Sequence, residues 1–196
     1  MKSYPNAGAA FQARMVLLKR LHARILGTWA ALSALAGGLG FLLLSGEAAH
    51  FGLMSLTWGW VNGGIAAYLY YHHREELRKP LSPFRQLEVQ GHAEKIILFN
   101  AGLDVAYILG GLALRQHGLL PGLTYAELWK GFGAAVILQG SFLLLQDSLF
   151  YALHVRNRNH IYPNWKKVLE PSNACPVPTD KYLETAYDSF RRGSGQ

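Results

Sequence analysis

Four apolar stretches recur along the chain, and nearly all the charged residues are gathered into the segments between them. Residues 25–44 run for twenty positions and residues 51–71 for twenty-one without an Asp, Glu, Lys or Arg. At about 1.5 Å per residue, either run crosses a hydrocarbon core of roughly 30 Å as a helix. Residues 96–114 hold one charge, Asp104, and residues 131–154 also hold one, Asp147; both still have the length and composition of spans. The pattern predicts an all-α membrane protein: a bundle of four transmembrane helices over residues 25–154, with spans near 25–44, 51–71, 96–114 and 131–154.

The flanking segments carry weaker signals. Phe11, Met15, Leu18 and His22 recur at helical spacing and lead into the first span, which predicts an N-terminal interfacial helix within residues 1–24. Ser82-Pro83 has the form of a helix start, and Gly91 is expected to break that helix before the third span. Thr124-Tyr125-Ala126-Glu127 has capping-box spacing, which starts the fourth helix near Tyr125. In the tail, residues 155–196, Leu183, Tyr187 and Phe190 form an apolar stripe on a short amphipathic helix that needs a surface to cover.

Composition agrees: 51% of residues are hydrophobic and 16% charged, against about 25% charged in soluble domains. Charge then sets the orientation. Seventeen Lys and Arg lie in the N-terminal segment, the loop between spans two and three and the tail, whereas only Arg115 and Lys130 lie in the other two loops. The positive-inside rule therefore places both termini in the cytoplasm and the chain in the cytoplasmic (inner) membrane. The net charge of +7 reflects that topology and contact with anionic lipid, not nucleic acid. The first apolar run exceeds the 7–15 residues of a signal core and is expected to stay as an anchor. The single cysteine, Cys175, is expected to remain a reduced cytoplasmic thiol.

Candidate chemistry is confined to polar groups within the spans. A carboxyl there costs about 2.5–3.5 kcal/mol on insertion scales unless something compensates it. Counted from the basic ends of their helices, Asn62, Asp104 and Asp147 lie roughly 10–14 Å deep, in one layer. Asn100 is one turn from Asp104, Gln146 adjoins Asp147, and Gln139 is two turns from Gln146. These six are expected to turn inward, either as hydrogen-bonding glue between helices or as a proton-labile or cation-binding site. His22, His72, His73, His92 and His154 cluster near the span ends, where anchoring at the interface is the simpler reading than a metal ring. Small residues at four-residue spacing, Ser33 and Gly37, Ala36 and Gly40, Gly59 and Gly63, and Gly102, Ala106 and Gly110, predict close helix packing. Trp58 and Asn62, one turn apart near mid-span, need hydrogen-bond partners.

No phosphate-binding glycine loop, G-x-S-x-G nucleophile, Cys-x-x-Cys or H-E-x-x-H occurs, so no catalytic residue, metal or cofactor is assigned. Trp58-Gly59-x-Val61-Asn62-x-x-Ile65-Ala66, Asn100-x-Gly102-Leu103-Asp104-x-x-Tyr107 and Gln139-Gly140-x-Phe142-Leu143-x-x-x-Asp147 together resemble an uncharacterised family of small bacterial four-span membrane proteins, classed as a domain of unknown function. The resemblance covers about residues 55–152, and it implies topology and no reaction. The expectation is a non-enzymatic integral membrane subunit, an accessory or assembly component of a larger complex or homo-oligomer. The alternative is a small transporter or proton-coupled ligand-binding protein that uses the Asp/Asn/Gln cluster.

Overall fold

The computed structural model describes residues 7–75 and 81–161, which form four α-helices with no strand among them. They are α1 (Ala7–Leu43), α2 (Gly46–Glu75), α3 (Pro83–His117) and α4 (Ala126–Ile161). α1, α3 and α4 are long and apolar enough to cross a membrane. α2 falls short of that hydropathy although it has no charge between Glu47 and Arg74, because Trp58, Trp60, three tyrosines and several glycines dilute its aliphatic residues. At 30–37 residues the helices are about 45–55 Å long, well beyond a hydrocarbon core.

The distribution of side chains inverts the soluble pattern. Leu32, Leu35, Leu39, Leu42, Leu98, Leu109 and Leu145 are exposed, while Ser33, Ser55, Asn62, Asp104, Gln139, Gln146 and Asp147 are buried. Apolar tails impose no penalty where the solvent is lipid, so the interior is left to small and hydrogen-bonding groups.

α4 is the hub. It packs against α1, α2 and α3, whereas α2 and α3 scarcely touch. Glycines set the close approaches. A Cβ on Gly37 would lie 2.5 Å from the Leu56 nitrogen, and one on Gly59 would lie 2.6 Å from the Ala34 nitrogen, so α1 and α2 meet backbone to backbone. Gly111 and Gly133 join α3 to α4 in the same way. Gly40 lies beside Gly52 and Gly63 beside Ala30 at ordinary contact distances, whereas Gly102 and Gly110 face open space. Gly46 opens α2 at φ +62°, and a Cβ there would meet the Glu127 carboxylate.

Several local expectations change. α1 is one helix from Ala7 to Leu43, continuous with the first span, and its first turns pack inward: Phe11, Met15 and Val16 are buried, and the Gln12 side chain accepts from the Leu81 amide at 3.1 Å. Ser82 does cap α3, accepting from the Arg85 amide at 3.3 Å with Pro83 following. Gly91 does not break that helix. One glycine costs a helix only about 1 kcal/mol, and Gln90 and Glu94 on either side of it are tied to α4. α4 begins one residue after Tyr125, but Tyr125 itself is the cap: it takes a left-handed φ of 62°, and its carbonyl accepts from the Leu128 and Trp129 amides. The amphipathic stripe Leu183, Tyr187 and Phe190 lies outside the described residues, as does Cys175.

Candidate functional site

α4 presents buried polar side chains in a line from Gln139 to Arg158, about 28 Å along its axis. They meet partners on α1 and α3 at three levels.

At the innermost level the Trp29 indole donates to Gln139 Oε1 at 2.7 Å, and Gln139 Nε2 donates to Ser33 Oγ at 3.1 Å. Trp29 also stacks on Phe142, with ring centres 3.9 Å apart. Asn62 and Asp104 belong to this level. Gly63 sits beside Ala30, the neighbour of Trp29, and a Cβ on Gly140 would lie 3.0 Å from the Asp104 carbonyl oxygen. Both side chains are almost wholly buried, at 2% and 3% exposure, yet Asn62 Nδ2 and Asp104 Oδ2 have no hydrogen-bond partner among the described residues. Just beyond them Trp58 meets Tyr107 edge to face at 5.0 Å, the main bridge seen between α2 and α3.

The second level is seven residues further along α4 than Gly140, about 10 Å. His22 Nε2 and Asp147 Oδ1 pair at 2.9 Å, His22 stacks on Phe150, and Gln146 Nε2 donates to the His22 carbonyl at 3.1 Å. Asp104 and Asp147 thus occupy two levels, not the single layer expected from counting span positions, because α3 and α4 extend unequally beyond the apolar runs used to measure depth. Asn100 lies one turn from Asp104 and is half-buried.

The third level joins α3 to α4. Gln90 Nε2 donates to Glu94 Oε1 at 2.9 Å and to the His154 carbonyl at 3.0 Å, with His154 Nδ1 at 3.0 Å from the same nitrogen. Arg158 pairs with Glu94. Asn157, also buried, has both side-chain polar atoms without a partner among the described residues.

Of the six polar candidates, five are buried and Asn100 half-buried. Counting residues along spans missed their partners. His22 and His154 are not interfacial anchors, since His154 is fully buried and His22 is paired with a carboxylate. His22, Trp29 and Ser33 lie seven and four residues apart, which puts them on one helix face, and that spacing was a usable signal. Glu94, Gln90 and Arg158 were hidden because they sit in charged flanks that read as solvated. Among the described residues no three His, Cys, Asp or Glu side chains form a metal-ligand group.

The innermost level gives a direct test of its polar bonds. Trp29→Phe keeps the stack on Phe142 but removes the donor to Gln139 Oε1. Leaving that buried oxygen unpaired is expected to lower stability by about 1–3 kcal/mol, read from thermal unfolding in detergent micelles.

Comparisons with known proteins return one match. Neither the curated proteins nor the solved structures contain a match to this chain. Residues 25–148 match a family described as a family of unknown function, DUF6992. The match takes in the second part of α1, which the resemblance over residues 55–152 had left out, together with Asn62, Asn100, Asp104, Gln139, Gln146 and Asp147. It covers well over half of the 196 residues, and the chain therefore belongs to the DUF6992 family of unknown function.

Proposed function

We propose that this protein is a non-enzymatic, four-span subunit of the bacterial cytoplasmic membrane, with both termini in the cytoplasm, that assembles through α3 with a second copy of itself. Four spans are supported by α2, which packs along α1 and α4 and carries no charge between Glu47 and Arg74. Orientation is supported by the 17-to-2 split of Lys and Arg, which also favours anionic lipid at the cytoplasmic face.

The observation that carries assembly is the small-residue face of α3. Gly102 and Gly110 have no described residue within 4 Å of a Cβ position, and Ala106 between them is exposed. Gly37, Gly52, Gly59, Gly111 and Gly133 spend their small faces on contacts within the chain. The α3 face is free to meet its own counterpart about a two-fold axis, which closes the assembly as a dimer.

Two experiments test this reading. Cys175 should react with an impermeant maleimide only after cells are permeabilised, whereas Leu120→Cys in a Cys175→Ser background should react in intact cells; the reverse pattern sinks the orientation. In sedimentation, the double variant Gly102→Leu/Gly110→Leu should run as a monomer with unchanged helicity while the parent runs as a dimer. A monomeric parent would remove the dimer.

A second reading, a small transporter or proton-coupled ligand-binding protein, is favoured by one observation. Asn62 Nδ2 and Asp104 Oδ2 are both buried, and neither atom has a hydrogen-bond partner among the described residues.

A further inference from the structure

The structure points to a proton-binding site at Asp104 that is filled from the basic end of the bundle along the polar line of α4, through the His22–Asp147 pair. The inference rests on the second reading above and gives it a ligand and a route.

Three features support the route. The ionisable groups of α1, α3 and α4 are stepped along the α4 axis: Glu94, His154 and Arg158 at the basic end, His22 and Asp147 about 10 Å further in, and Asp104 beyond them. All are buried or largely buried, a costly placement in a span unless they are used or fully bonded. Finally, the unpartnered polar atoms fall along the same line. Asn157 contributes both side-chain atoms near the third level, Gln146 Oε1 the second, and Asp104 Oδ2 and Asn62 Nδ2 the innermost. Buried polar atoms of this kind are what internal water molecules bond to, and such waters bridge ionisable groups that are too far apart for direct transfer.

The groups facing Asp104 are few. α4 brings Gly140 against the Asp104 carbonyl, with Gln139 beside it in sequence and Asp147 two turns along, α1 brings His22 through its pair with Asp147, and α2 brings the buried Asn62. The transfer is balanced. A proton held between His22 and Asp147 passes to the Asp104 carboxylate, which becomes the neutral acid; the pair then regains a proton from the Glu94, His154 and Arg158 level, which takes one from water at the basic end.

The test is infrared difference spectroscopy on the full-length protein in lipid vesicles, with the carboxylic acid C=O band followed after a pH jump between about pH 4 and 9. The parent should show a buried acid band that is lost as pH rises, and Asp104→Asn should lack it. Asp147→Asn should keep the band but slow its appearance by about a hundredfold, the scale of one positioned proton-transfer group, and Asp147→Glu should restore the rate. Circular dichroism of each variant shows whether it is folded, and if Asp104→Asn does not fold, Asp104→Glu should retain the band at a shifted frequency. No pH-dependent band in the parent, or an unchanged band in Asp104→Asn, overturns both the inference and the second reading. A band that depends on Asp104 but forms at the parent's rate in Asp147→Asn overturns the route and leaves that reading standing.

Discussion

Replacing Glu94 by Ala should lower stability by about 3–5 kcal/mol, although the residue is far from any catalytic motif. Its carboxylate holds the Arg158 guanidinium and accepts from Gln90, and both ion-pair partners are mostly shielded from solvent. Removing one member of a buried pair takes away the opposite charge that compensates the other, and that loss accounts for most of the effect. The double variant Glu94→Leu/Arg158→Met should recover most of the stability, because it removes both charges together. Arg85 and Glu88 provide the control: their 2.6 Å pair on α3 is exposed, and Glu88→Ala should change stability by at most about 1 kcal/mol. Denaturation in micelles followed by circular dichroism measures all three variants.

The second large effect comes from a single methyl group. A Cβ on Gly52 would stand 2.5 Å from the Phe41 nitrogen and 2.7 Å from the Gly37 carbonyl oxygen. Both are backbone atoms of the neighbouring helix, so α1 and α2 must move apart to admit it. Gly52→Ala is expected to cost about 1–3 kcal/mol, and Gly52→Leu is expected to abolish the folded state. Gly102→Ala should not lower the stability of the isolated chain and should raise it by up to about 1 kcal/mol through helix propensity, because no described residue lies within 4 Å of that position. Thermal unfolding of the three variants separates a glycine required for contact within the chain from one that faces outward.

These contrasts show where the sequence was informative. Long apolar runs with at most one charge are long-range signals and carried the helix count well: each of the four runs falls on one of α1 to α4, the first passing the end of α1 by one residue. The Ser82-Pro83 start was legible because capping depends on a few adjacent residues. Gly91 misled because a glycine's weak helix propensity was overridden by the tertiary bonds of Gln90 and Glu94. Inward placement of Asp104, Asp147, Asn62 and Gln139 followed from the penalty for polar groups facing lipid, and they are buried.

Their grouping did not follow. Which carboxyl meets which histidine depends on the register between helices, and the glycine contacts fix that register. Gly140 against Asp104 and Gly63 against Ala30 set one level, while His22 against Asp147 sets another. Gly52, Gly111 and Gly133 carry contacts as close as any of the expected small-residue pairs, but a strict four-residue pattern within one helix does not find them. Pairing across two helices is a property of both sequences at once.

The proposed assembly is tested most directly by native mass spectrometry on the protein gently extracted from its own membranes. A particle of two 21.7 kDa chains that falls to one chain in Gly102→Leu/Gly110→Leu is the expected result. A parent that leaves the membrane as a single chain, or a dimer unaffected by those substitutions, would contradict it.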